Sequence, residues 1–133
     1  MKANPVHLDQ LAENVRISVA SDFLQEHSDT DNEQFVFSYT ITIENHNDQA
    51  VKLLNRRWVI TDADGKESVV EGEGVIGKQP TIKPGSSFTY SSGSVFKTPL
   101  GYMQGHYQML DNNANTFWVE IPVFRLALPN ILN

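Results

Sequence analysis

Hydrophobic and polar positions alternate strictly along residues 34–44. Phe35, Phe37, Tyr39, Ile41 and Ile43 fall on one side, and Val36, Ser38, Thr40, Thr42 and Glu44 on the other. Successive side chains of a β-strand point to opposite faces, so this pattern predicts a half-buried antiparallel strand. The β-branched and aromatic residues that fill it suit a pleated surface. A second run, 51–61, follows the turn cluster Asn45-His46-Asn47-Asp48. Asp62-Ala63-Asp64-Gly65 then closes a hairpin, and a return strand opens at 66–70. Further strands are predicted at 87–91 after Pro84-Gly85, at 101–110 and at 116–124, the last two flanking the turn-rich 111–115. In the final strand Phe117, Val119, Ile121 and Val123 are expected on one face, opposite Trp118 and Glu120. Val15, Ile17 and Val19 mark an earlier strand. A helical turn at 8–13 is too short to be expected to hold.

About seven short strands with turn signals between them predict an all-β fold, an antiparallel β-sandwich of the immunoglobulin or fibronectin type III kind. One polar face per strand favours antiparallel sheets over a parallel α/β sheet. The 133 residues fit one domain, with 40% hydrophobic and 20% charged residues, a globular balance. Ten Lys and Arg against 16 Asp and Glu give a net charge of −6, and Arg56-Arg57 is the one adjacent basic pair. Such a surface repels phosphate backbones and anionic lipid, so no nucleic acid and no membrane partner is expected. No apolar run reaches the ~20 residues of a membrane span, and the first residues lack the apolar core of a signal peptide. A cytoplasmic location follows as the default expectation. The absence of cysteine rules out disulfides, thiolate metal sites and a cysteine nucleophile.

Gly72-Glu73-Gly74-Val75-Ile76-Gly77 spells G-x-G-x-x-G. In dinucleotide-binding folds that string opens a helix whose N-terminus holds a pyrophosphate. Here Pro80, Pro84 and Gly85 follow closely, which no helix tolerates, and no acidic residue lies between Glu73 and Asp111. The glycines could still form a backbone anion nest, with Gly72, Gly74, Gly77 and Lys78 as its residues and Lys83 in reach. The commoner role for such glycines is a bulge or tight loop. His7, His27, His46 and His106 show no metal-ligand spacing. Asp29, Asp31 and Glu33 share a loop that offers hard-cation ligands. An EF-hand would need Gly where Gln34 stands and Glu where Thr40 stands. The serine clusters 85–87 and 92–94 lack the nucleophile-elbow pattern and read as turn and edge residues.

Arg56 and Arg57 form a candidate recognition surface. On a strand Arg56 shares the face of Trp58 and belongs near the rim of a core, while Arg57 points to the opposite, solvent side. Arginine beside aromatics is typical of recognition surfaces, although a salt-bridged surface arginine is the commoner case.

Several linked stretches resemble the ApaG family. They are Asn55-Arg56-Arg57-Trp58-Val59-Ile60-Thr61-Asp62, Glu71-Gly72-Glu73-Gly74-Val75-Ile76-Gly77-Lys78 and Pro84-Gly85-Ser86-Ser87-Phe88-Thr89-Tyr90. Thr98-Pro99-Leu100-Gly101-Tyr102-Met103 and Phe117-Trp118-Val119-Glu120-Ile121-Pro122 extend the likeness. It covers the chain from about Val15 to Leu128, and departs from the family pattern at Ser94-Val95-Phe96-Lys97. The resemblance implies a small bacterial sandwich domain, with related domains inside larger eukaryotic proteins where they act as interaction modules. It also implies a genetic association with cobalt and magnesium efflux, which a chain without a membrane span could serve only indirectly. It brings no catalytic residues and no cofactor. The expectation is a non-enzymatic binding module for a protein partner. A phosphate- or nucleotide-binding regulator built on the glycine string and a divalent-cation sensor are the alternatives. A sheet edge could also pair two copies.

Overall fold

The computed structural model describes residues 3–129. Two antiparallel sheets pack face to face. Strands β1 (Val15–Phe23), β2 (Phe35–Asn45) and β6 (Ser87–Phe96) form a three-stranded sheet in the order β1-β2-β6. The other sheet has the order β4-β3-β7-β8, built from β3 (Val51–Asp62), β4 (Glu67–Glu73), β7 (Leu100–Leu110) and β8 (Thr116–Ala127). The short β5 (Thr81–Ile82) pairs with the start of β3, on the flank that β4 takes further along.

The alternation of 34–44 becomes β2 with Phe35, Phe37, Tyr39, Ile41 and Ile43 buried. Their inward side meets Val51, Leu53, Met103, Tyr107, Met109, Phe117, Val119 and Ile121 from the larger sheet. Each such side chain contributes roughly 1.5–3 kcal/mol by leaving water. Tyr39 packs edge-on against Trp58 at 5.7 Å between ring centres, and Phe124 closes on both. Contacts join the two sheets at several points. Ser21 of β1 bonds Arg125 O of β8, and the Phe96 ring of β6 occupies the space where a Cβ on Gly101 of β7 would lie. Tyr90 of β6 joins its hydroxyl to that of Tyr107 on β7. Among the described residues no strand lies above β4, and β4 is exposed on both faces except at Gly72.

Three features differ from the sequence expectation. A helix, α1 (Val6–Glu13), does form, because Leu8 is buried against the sheet and Asn4 locks the segment to Trp118 N and O. Tertiary packing supplies what eight residues lack on their own. Val123 is exposed, because a bulge shifts register between Met103–Phe124 and Gly105–Ile121. Two residues of β8, Pro122 and Val123, oppose Gln104 there, so Phe124 takes the inward place expected for Val123. Lastly, β6 runs to Phe96, well beyond 87–91.

Candidate functional site

The glycine string ends β4 and turns back as a tight hairpin. Val75 and Lys78 exchange both backbone hydrogen bonds, at 2.8 and 2.9 Å, around Ile76 and Gly77 with φ of 45° and 75°. Two successive left-handed residues make a type I′ turn, which explains Gly77 but not Ile76, a β-branched residue in a region it normally avoids. Gly74 has φ 60°, and a Cβ there would stand 2.1 Å from Lys78 O. Its amide donates to Leu54 O. With the amides of Gly74, Val75 and Lys78 thus engaged, an anion at this loop would find those of Ile76 and Gly77 in the turn.

Gly72 serves a different purpose. A Cβ at that position would lie 2.8 Å from Arg56 Nη1 and 2.9 Å from Cζ, so the guanidinium of Arg56 lies flat across the glycine. Arg56 Nη1 donates to Glu73 O and Gly74 O, both at 3.0 Å. The register pairs Arg56 with Tyr107 and Trp58 with Gly105, which puts Arg56 on the inner face at the rim, as its spacing from Trp58 requires. It reaches that face because an extra residue, Leu54, is inserted where the β3–β7 register shifts between Leu53 and Asn55.

These elements border one cleft between the sheets. A volume of about 310 Å³ is lined by Arg56, Trp58, Tyr39, Tyr90, Ser92, Glu73 and the hairpin residues Val75, Ile76 and Gly77. Tyr90 lines the cleft, and its hydroxyl bonds that of the buried Tyr107. Burial pushes both phenols above the ordinary tyrosine range; for Tyr90 the hydrogen bond to Tyr107 pulls partly the other way, and for Tyr107 the neighbouring Tyr90 adds to the rise. Arg56 acts on both in the opposite sense, which marks how near its charge lies to the pair. Ile76 and the tyrosine pair were not singled out in the sequence, and Ser92 entered only within a serine cluster read as turn and edge residues. Ile76 carried a signal there, as a β-branched residue before glycine where a hairpin favours Asn or Asp.

Arg57 faces outward and bonds Glu71 Oε1 at 3.1 Å. It borders a shallow concavity with Val59, Gln104, His106 and Glu120, next to which His106 meets Trp118 edge-on at 6.3 Å. The two candidate arginines therefore belong to opposite faces of one sheet. Asp29, Asp31 and Glu33 are exposed on a loop of two short 3₁₀ turns, where Asp29 Oδ2 accepts from Asn32 Nδ2 at 2.7 Å. Among the described residues no three His, Asp or Glu side chains converge to hold a metal ion. His7, His27 and His46 lie on the surface, Lys83 and Ser86 sit in the turn leading into β6, and Ser87 opens that strand. Among the described residues no helix is long and apolar enough to cross a membrane.

The fold and cleft define an immunoglobulin-like antiparallel sandwich with an open rim between its sheets. Residues 25–111 match the family model described as the ApaG domain. Protein ApaG of Vibrio cholerae is 51% identical over 119 residues, covering 90% of this chain and 94% of that protein. Protein ApaG of an Escherichia coli O1:K1 strain is 50% identical, covering 90% and 95%. The chain belongs to the ApaG family. An X-ray structure of a structural genomics target superposes with a TM-score of 0.87 at 44% identity, covering 92% of each chain. A Bordetella pertussis crystal structure gives 0.85 at 38%, covering 87% of this chain and 94% of that one. A Bacteroides uniformis beta-glucuronidase shares the fold alone, with a TM-score of 0.54 at 15% identity over 83% of this chain and 13% of that one.

Proposed function

We propose that this chain is a non-enzymatic recognition domain that binds a protein partner at the rim between its sheets. Ile76 carries the reading. It is a β-branched residue held at φ 45°, with 54% of its surface exposed at the lip of the Arg56 cleft. Left-handed backbone at a non-glycine residue costs on the order of 1–3 kcal/mol, and Asn or Gly would fit the turn better. An apolar side chain kept exposed at such a cost is well placed to be covered by a partner. The aromatic walls and the guanidinium fixed behind it match the composition of interface anchors. A link to cobalt and magnesium handling would then run through the partner, without a metal held by this chain.

The test is photo-crosslinking in cells. A photoreactive amino acid replaces Ile76 in one version of the chain and the exposed Val123, on a distant strand, in another. A discrete protein adduct from position 76 and not from 123 is expected. Identical or absent adducts at both positions would remove the proposal.

A further inference from the structure

The edge of β6 is open along its whole length. Its pairing with β2 fixes which backbone groups point outward. Leu24 N donates to Val36 O, so the even residues of β2 direct their backbone groups toward β1, whereas Asn45 exchanges bonds with Gly85 and Ser86 on the β6 side. Residues of β6 opposite the odd positions of β2, namely Phe88, Tyr90, Ser92, Ser94 and Phe96, are therefore bonded to it. Ser87, Thr89, Ser91, Gly93 and Val95 turn their N–H and C=O groups the other way. Among the described residues no strand pairs with β6 on that side. Natural edges of this kind are normally guarded by charge, proline, a bulge or a covering element. The ten residues of β6, Ser-Phe-Thr-Tyr-Ser-Ser-Gly-Ser-Val-Phe, include neither a charge nor a proline, and their register with β2 is unbroken.

Beside this edge lies the lane above β4. Neighbouring strands sit about 4.8 Å apart, and the sheet that ends in β4 is one strand wider than the sheet facing it. Val70 pairs with Trp58, so it shares that inner face, yet it is 41% exposed, with no strand over it among the described residues. Ile76 and the guanidinium of Arg56 border the same lane.

We propose that one extended strand from a protein partner adds to β6 in this lane, completing the smaller sheet over β4, with one inward carboxylate set against Arg56. The proposal rests on the recognition reading above and names its mode. The overhang of β4 argues against a second copy as the occupant. A partner copy's β6 would bring its own β7 and β3 beneath it, into the layer that β4 already fills. A lone strand brings nothing underneath. Its alternate side chains point down onto Val70, Ile76 and Arg56, so the segment needs apolar residues at a spacing of two and one acidic residue among them. Among the cleft residues Arg56 is the one cation and Glu73 the one anion; Arg56 Nη1 takes both carbonyl bonds, and among the described residues Nη2 and Nε are left to meet a carboxylate.

The experiment selects displayed random peptides of about ten residues, the length of a long strand, on the full chain. The enriched sequences are titrated into ¹⁵N-labelled protein. Alternating apolar peptides with an acidic residue at one inward position are expected, shifting the amides of Thr89, Ser91, Gly93 and Val95. Ser91→Pro removes an outward N–H and leaves the β2 ladder intact, and Val70→Lys puts a charge under the lane. Each should weaken the peptides by about tenfold or more, with a near wild-type melting curve for Val70→Lys as the control for folding. Failure to enrich any peptide, or peptides that bind both variants like wild type, overturns the proposal. So does a wild-type dimer in sedimentation that Ser91→Pro dissociates, since a second copy then fills the lane. A partner crosslinked from position 76 that Ser91→Pro still captures would leave the recognition reading standing and sink strand addition alone.

Discussion

The two flanks of the sandwich are built on opposite terms. On one, α1 covers the end of the β1 and β8 lanes, Asn4 pairs with both backbone groups of Trp118, and Asn47 Nδ2 reaches Leu11 O. At that end Asn45 is fully buried and uses all of its amide. Nδ2 donates to Gln49 O and Ile82 O, and Oδ1 accepts from Asn47 N and Nδ2. On the other flank β6 and β4 leave backbone edges open, and exposed Val70 and Ile76 stand around a fixed guanidinium. One flank satisfies its polar groups internally, and the other keeps apolar and hydrogen-bonding capacity turned outward. Stability resides in the first, and the proposed recognition would use the second.

The largest effect that would test this division is Asn45→Ala. It strands two carbonyls and the Asn47 amide, and the loss should be about 3 kcal/mol in urea unfolding. Val70→Ala on the open flank should cost less than about 0.5 kcal/mol. Comparable losses at the two sites would erase the distinction.

Alkaline pH strains the boundary between the flanks. Tyr90 and Tyr107 both have raised pKa values, chiefly through burial. The folded state therefore keeps protons that unfolded tyrosines release near pH 10, and stability is intact below that pH and falls as pH rises above it. Each phenol contributes a slope of about 1.4 kcal/mol per pH unit once the unfolded form has ionised. Urea midpoints measured from about pH 9 upward should show the decline. Tyr90→Phe should reduce its slope, and an unchanged slope would mean that the pair does not control it.

The division was only partly legible in the sequence. The alternation of β2 could be read directly, because a strand with one wet face writes its fold into every second residue. The bulges could not. The inserted Leu54 and the Pro122–Val123 pair each change which side chains face inward, and a count by twos passes through them unaware. Helix α1 depends on contacts with distant strands, so its eight residues carry little signal of their own. The glycine string was conspicuous but its reasons were spatial. Gly72 makes room for an arginine sixteen positions earlier, and Gly74 for the carbonyl of Lys78. Arg56 and Arg57 were assigned to opposite faces from strand geometry alone, and the register agrees. The open lane could not be seen at all, since it arises from one sheet being a strand wider than the other.

A third prediction concerns Ile76. Asn adopts left-handed backbone more readily, so Ile76→Asn should stabilise the chain by about 1 kcal/mol. The same change should weaken capture of any partner that covers the lip. Gain in stability with loss of binding is the signature of strain kept for function. A variant that is no more stable would show that the turn carries no strain at Ile76.

The smallest effect separates the two arginines. Arg57 and Glu71 form a pair whose side chains keep 31% and 66% of their exposure, so water and salt screen it. Such pairs contribute about 0.2–1 kcal/mol, and a double-mutant cycle across Arg57→Ala and Glu71→Ala should fall at the low end and shrink further in high salt. Arg56, one residue earlier, is the contrasting case. Its guanidinium is braced by two carbonyls and lies on Gly72, so Arg56→Ala removes packing along with charge, and its cost should persist in salt. If both substitutions lose their effect at high ionic strength, Arg56 is an ordinary surface cation and the open flank has no fixed anchor. A salt-insensitive loss at Arg56 alone places the anchor on the inner face, where a partner's carboxylate would meet it.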